Sequence, residues 1–147
     1  MEALFSDQVR DIIQTSGKLA VRFRYDYIGP EHVLLAIIDE SLKNKNVVLD
    51  ILKGLNVNLF NLIEDIEASF DNSKSSAAKS SLPLTKASEK ILKLSYLEAM
   101  RFHSIFIETE HLLLSYLKHD SAFCERVLTV KYGLTYEKAK TWMEAGG

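Results

Sequence analysis

The sequence carries one pattern twice. Tyr27-Ile28-Gly29-Pro30-Glu31-His32-Val33-Leu34-Leu35 returns 79 residues later as Phe106-Ile107-Glu108-Thr109-Glu110-His111-Leu112-Leu113-Leu114. The register holds without a gap on both sides. Upstream, Ile12 meets Ile91, Ser16 meets Ser95, Ala20 meets Ala99 and Arg22-Phe23 meets Arg101-Phe102. Downstream, Val48-Leu49 meets Val127-Leu128 and Gly54-Leu55 meets Gly133-Leu134. One register kept over roughly 60 positions marks a duplication.

A copy of about 65 residues buries too little surface to be comfortable alone. The two copies are therefore expected to pack face to face as a single pseudo-twofold domain. Repeat one spans 5–70 and repeat two 84–147. Between them, 71–83 reads as a flexible linker, because Asp71-Asn72-Ser73-Lys74-Ser75-Ser76-Ala77-Ala78-Lys79-Ser80-Ser81 is small, polar and without apolar period.

Each copy predicts four helices, so the expected class is all-α with eight helices. Val9, Ile12, Ile13, Leu19, Ala20 and Phe23 recur at helical spacing behind a capping Ser6, and Thr85 opens the counterpart with Ile91, Leu92, Leu94, Leu97 and Ala99. Gly29-Pro30 forms a break before a short helix. Its Leu34, Leu35, Ile37 and Ile38 cover most of its circumference, which predicts a buried central element. Val47, Val48, Ile51 and Leu52 predict a third helix stopped by Gly54 in the left-handed conformation, and Gly133 repeats that stop. Asn56 and Thr135 are expected to cap fourth helices carrying Leu59, Leu62, Ile63 and Ile66 in one copy and Ala139, Trp142 and Met143 in the other.

Charge and motif content exclude several functions. Eighteen basic residues against twenty acidic ones leave a net charge of −2, with no surplus for a phosphate backbone, so no nucleic-acid partner is expected. No apolar run approaches the roughly 20 residues of a membrane span. The first residues lack the basic flank and apolar stretch of a signal peptide, and one cysteine, Cys124, cannot form an intrachain disulfide. A cytoplasmic protein is expected, with no membrane partner. Gly17-Lys18 lacks the earlier glycine of a phosphate-binding loop, and Glu31-His32 is not the i, i+4 histidine pair of a zinc helix. Cys124, between Phe123 and Val127, reads as a half-buried helical cysteine rather than a nucleophile. No catalytic residue, cofactor or metal ligand is predicted.

The Glu-His pairs are what remains. His32 and His111 read as residues that tie a helix start to its surroundings. Glu31 and Glu110 are open to two readings. As first-turn acids they favour the helix dipole. As two carboxylates at matching positions, facing solvent on a firm backbone, they suit a guanidinium or an ammonium. Tyr25, Tyr27, Phe106 and Tyr116 belong to the core or line a peptide groove, while Lys43, Lys45, Lys86, Lys90 and Lys93 read as a solvated face.

A duplicated helical unit with Tyr-Ile-Gly-Pro-Glu-His-x-Leu-Leu-Ala-Ile-Ile, then Val-Leu, then Gly-Leu, resembles the N-terminal domain of Clp-family AAA+ unfoldases from Phe5 to Ala145. Its Ile-Gly-Pro-Glu-His form looks most like ClpC, with ClpA and ClpB less close. The resemblance implies a module that collects adaptor proteins and substrate polypeptides for a hexameric ATPase ring, which feeds a peptidase such as ClpP in protein quality control and the stress response. ATP and magnesium are implied only for ATPase modules that this sequence does not contain. Gly146-Gly147 then resembles the start of an interdomain linker.

In ClpC-type domains the two motif glutamates are associated with phosphorylated arginine, holding the guanidinium while groups at the start of each copy's first helix hold the phosphate. Glu31 and Glu110 match the first role, and Ser6 and Thr85 the hydroxyl positions of the second. The second copy departs nearby. It reads Thr85-Lys86-Ala87-Ser88-Glu89-Lys90 where relatives often have Thr-Pro-Arg-Ala-Lys-Lys, so Glu89 puts an acid where a base would help the phosphate. A free-standing Clp N-like protein that modulates a Clp ATPase or peptidase is the alternative expectation.

Overall fold

The computed structural model describes residues 4–71 and 81–146, so most of the expected linker, 71–83, lies outside the described residues. Repeat one forms α1 (Asp7–Arg22), α2 (Pro30–Lys43), α3 (Val47–Gly54) and α4 (Leu59–Ala68). Repeat two forms α5 (Lys86–Arg101), α6 (Thr109–Lys118), a π-helical segment (Cys124–Thr129) and α7 (Tyr136–Glu144). These eight helices make an all-α fold, with no strand beyond two isolated bridges among the described residues.

Those two bridges express the repeat in three dimensions. Phe5 pairs with Ile107 and Ile28 with Leu84, each joining one copy to the other in parallel. The bonds match across the 79-residue offset: Ser6 N–H donates to Ile107 O and Thr85 N–H to Ile28 O, both at 3.0 Å. Ile107 N–H donates to Leu4 O and Ile28 N–H to Pro83 O, both at 2.8 Å. Each copy thus lends the residue before its central helix's N-cap to the strand-like lead of the other. The central helices then pack in the middle, α2 burying Val33 to Ile38 without interruption and α6 burying Leu112 to Tyr116. The prediction of a buried central helix is met in both copies.

Helix ends follow the residue chemistry, with one exception at α3 and α4. Ser6 and Thr85 cap α1 and α5 as expected, accepting from Val9 N–H and Ser88 N–H. Both helices stop on a non-glycine residue at positive φ, Arg24 at 66° and His103 at 56°. In each case the next N–H reaches back, Tyr25 to Ala20 O and Ser104 to Ala99 O, which closes the paired-bond helix stop. In α3 the left-handed residue is Asn56 (φ 59°), not Gly54, and α4 is capped by Asn58 rather than Asn56. Asparagine tolerates that conformation better than most residues, which frees the glycine for another purpose. Gly133 (φ 64°) and the Thr135 cap do follow the prediction.

The purpose of Gly54 is close approach. A Cβ built there would fall on Trp142 Nε1 and lie 3.1 Å from Cδ1 and Cε2 of the same ring. The fourth helix of repeat two is therefore seated on the third helix of repeat one. Gly54→Ala should push the indole aside and cost about 1–3 kcal/mol through overpacking. Trp142 is the only tryptophan, so its emission reports the displacement directly. An unshifted spectrum with unchanged stability would show that the contact is loose.

The face of α5 also departs from expectation. Leu94 and Leu97, expected on its apolar side, are 37% and 40% exposed. The buried stripe is instead Ser88, Ile91, Leu92, Ser95, Glu98 and Ala99. Buried polar residues are tolerated because each is bonded. Ser88 Oγ donates to Ile28 O, Ser95 Oγ to Leu92 O, and Glu98 accepts from Tyr136 O–H at 2.7 Å. Cys124 is buried at 7% exposure, with its Sγ 3.7 Å from Tyr116 O.

Candidate functional site

Each Glu-His pair opens a central helix, and each helix start lines a cleft between the repeats. Pro30 supplies a pre-set φ at the first turn of α2, and the acid follows it where the helix dipole favours negative charge. The histidine closes the turn. His32 Nδ1 accepts the Gly29 N–H and His111 Nδ1 the Glu108 N–H, both at 2.9 Å. Both histidines are almost fully enclosed, at 1% and 2% exposure, and burial pushes their pKa down to about 4. They are neutral structural caps, as their place in the motif predicts. Their bond is to their own helix start.

The first cleft measures about 740 Å³. Glu31, His32 and Tyr27 form one side with Phe70 from the end of repeat one, and Phe123, Arg126 and Lys131 come from repeat two. The second measures about 590 Å³ and is the pseudo-twofold relative of the first. Glu110, Phe102, Trp142 and Met143 come from repeat two, facing Val47, Asp50 and Lys53 of repeat one. The tertiary structure thus builds each cleft from residues of both copies that lie far apart in sequence.

The two glutamates have diverged. Glu31 Oε2 accepts a 3.0 Å hydrogen bond from the hydroxyl of Tyr116, a fully buried residue of α6. In repeat one the position matching Tyr116 is Ile37, so Glu110 receives no such bond. Its nearest partner is the adjacent Thr109 hydroxyl at 3.3 Å. Burial raises the pKa of both carboxyls. At Glu31 the Tyr116 bond and the nearby His119 work against that rise, whereas at Glu110 the neighbouring Glu108 adds to it. Both carboxyls are half-buried in the walls of their clefts, and Glu31 is turned towards Tyr116.

Ser6 and Thr85 are brought crosswise to the start of the other copy's central helix. Through Ile107 the lead of repeat one meets the start of α6, and through Ile28 the lead of repeat two meets the start of α2. Their hydroxyls serve as helix caps, and among the described residues no hydrogen bond joins them to Glu31 or Glu110. Sequence reasoning missed Tyr116 as a partner for Glu31, and also Arg126, Asp50 and Lys53. Two of these were detectable as departures from the repeat, Ile37 becoming Tyr116 and Val47 becoming Arg126.

Gly17 and Lys18 lie inside α1, where backbone N–H groups are spent on the helix. Among the described residues no group of three or more His, Cys, Asp or Glu side chains could hold a metal ion, and no helix is long and apolar enough to cross a membrane.

Comparison with known proteins agrees with this geometry. The profile of the family described as the Clp repeat (R) N-terminal domain matches residues 4–130. The chaperone protein ClpB of Oceanobacillus iheyensis is 26% identical over 136 residues, covering 92% of this chain and 16% of that protein. The ClpC ATP-binding subunit of the ATP-dependent Clp protease from Staphylococcus aureus is 25% identical over 122 residues, covering 83% of this chain and 14% of that protein. The 147 residues therefore span about one-sixth of the length of such relatives, and ClpB and ClpC stand equally near. Among solved structures, the ClpV N-domain in complex with a VipB peptide superposes with a TM-score of 0.73 at 13% identity, covering 95% of this chain and 84% of that one.

Proposed function

The chain belongs to the Clp repeat (R) N-terminal domain family, and on that premise we propose that it is the substrate- and adaptor-binding module of a ClpC-like ATP-dependent unfoldase. It contributes no catalysis of its own. In the whole protein an ATPase ring would take captured polypeptides from this module and pass them to a ClpP-type peptidase in the cytoplasm. The observation that carries the reading is the pair of inter-repeat clefts, each opened by a Glu-His helix start and walled by aromatic residues. The ClpV N-domain, which has the same fold, has been solved with a peptide bound.

Glu110 is the better placed of the two glutamates to take a cation. Its cleft offers two carboxylates, Asp50 and Glu110, against one lysine, Lys53. A half-buried carboxylate without a strong internal donor gains most from an incoming guanidinium, which can occupy both oxygens. We therefore assign to Glu110 the side chain of arginine or phosphoarginine in an adaptor or substrate. Ser6, bonded through its backbone to Ile107, brings the start of α1 alongside for a phosphate. Glu31 and Thr85 form the matching pair in the other copy, with the carboxylate already engaged by Tyr116.

Calorimetric titration of the 147-residue protein with short arginine peptides, plain and phosphorylated on the guanidinium, tests this directly. Glu110→Ala should weaken binding by about tenfold or more, since a charge-assisted contact contributes about 1.5–3 kcal/mol when desolvated. Unchanged affinity in a folded Glu110→Ala variant would overturn the assignment.

A further inference from the structure

We propose that the first cleft binds a carboxylate of a polypeptide partner through the His32 Nε2–H, with Arg126 as the cation at its rim, so that the duplicated clefts have diverged into one site for acids and one for bases. The inference rests on the reading of the clefts as polypeptide sites.

His32 supplies the first observation. Its Nδ1 accepts from Gly29, so the proton of the neutral ring sits on Nε2. That atom is buried and has no hydrogen-bond partner among the described residues. Buried donors are almost always paired, so this one calls for a partner. Aromatic neighbours hold the ring in place. It stacks on Phe70 with centroids 4.6 Å apart and planes at 16°, and Tyr25 meets it edge-on at 4.6 Å. The cleft that His32 lines offers a place from which an entering molecule can supply the acceptor.

The charges select which acceptor. Asp65 is taken by Lys131 at 2.7 Å and by the Tyr132 hydroxyl. Glu31 is turned inward to Tyr116. Arg126 is exposed and, alone of the charged side chains lining the cleft, has neither an ion pair nor a side-chain hydrogen bond among the described residues. Its counterpart in the second cleft is Val47, so that cleft lacks this cation and holds two carboxylates, Asp50 and Glu110, against Lys53. A carboxylate satisfies a neutral N–H donor and a guanidinium together, which a backbone carbonyl does not. That carboxylate is either an acidic side chain or the free carboxyl end of a polypeptide.

Four fluorescent hexapeptides sharing one phenylalanine separate the sources: internal glutamate with an amidated end, internal glutamine with a free end, both carboxylates, and neither. Anisotropy with the 147-residue protein should show at least one single-carboxylate peptide binding tenfold or more tightly than the neutral one. Arg126→Gln, a change at an exposed position, should remove that advantage, while Lys93→Gln, an exposed cation on α5 away from both clefts, leaves it intact. Imidazole nitrogen NMR should show the His32 Nε2 resonance moving with the carboxylate peptide. Equal binding of neutral and carboxylate peptides with His32 moving in both would overturn the acid preference while leaving the peptide-binding reading in place. An unmoved His32 resonance, or full affinity in Arg126→Gln, would also overturn it. Failure of every peptide, including the basic ones, would remove the reading beneath it.

Discussion

Acidification from pH 7 to pH 5 should destabilise the domain by about 2 kcal/mol for each of its two buried histidines. In the folded protein burial holds His32 and His111 neutral down to about pH 4, whereas in the unfolded state they titrate near the ordinary 6.5. Below pH 6.5 the unfolded state therefore binds more protons, and stability falls as the pH falls through the window from 6.5 to about 4. Glu31 and Glu110 act in the opposite sense. Burial raises their folded pKa above 4.5, so the native state takes up their protons first and offsets part of the loss at the acid end of the window. The histidines dominate because their shifts are the larger ones. Urea unfolding at half-unit pH steps checks this, and His32→Gln with His111→Gln should flatten the slope even though each loses a cap bond. A flat wild-type profile between pH 7 and pH 5 would mean that the rings are protonated in the native state.

The second large effect separates two glutamates that the repeat makes look alike. Glu31→Ala strips the acceptor from the buried Tyr116 hydroxyl, which burial and the adjacent Glu31 charge keep firmly protonated. A buried donor left unpaired costs about 1–3 kcal/mol. For a protein of this size that corresponds to a fall in Tm of several degrees, at about 2–4 °C for each kcal/mol. Glu110→Ala loses only a first-turn acid, a matter of about 0.3–1 kcal/mol. Glu31→Gln keeps an acceptor and should recover most of the loss. The double variant Glu31→Ala with Tyr116→Phe should lose less than the two single changes summed, because one bond is counted in both. Equal melting curves for Glu31→Ala and Glu110→Ala would show that the cross-repeat bond contributes nothing.

The two effects bear on function through the same helix starts. A peptide site must hold its shape before the partner arrives, and the histidine caps and the Tyr116–Glu31 bond are what hold these starts in place. The same enclosure that lowers the histidine pKa keeps His32 a neutral donor at physiological pH.

Much of the fold was legible because it depends on local rules. Period 3.6 marked α1 through Val9, Ile12 and Leu19, Ser6 and Thr85 marked helix starts, and Pro30 marked the opening of α2. The errors fell where a distant residue changed the local preference. Gly54 resembled a helix stop, yet it is kept small for Trp142, 88 positions further on, while Asn56 makes the turn. Leu94 and Leu97 looked like core, yet the packed stripe runs through Ser88, Ser95 and Glu98, whose polar atoms are satisfied by Ile28, Leu92 and Tyr136. The Cys124–Thr129 segment took π-helical bonds where its counterpart α3 is α-helical.

From the sequence alone came the duplication, the all-helical class, the two Glu-His helix starts and the family to which they point. These are properties of periodicity and short-range bonding, which the order of residues carries directly. Only the tertiary structure decided that the copies cross, each helix start being stitched to the other copy's lead through Ile28 and Ile107. It also decided that Tyr116 engages one glutamate and not the other, and that Arg126 shares a cleft with His32 where Val47 shares the other with Glu110. A repeat places equivalent backbones in equivalent positions, but each cleft is walled by both copies. A substitution in one copy therefore alters the cleft that belongs to the other, and that pairing exists only once the protein has folded.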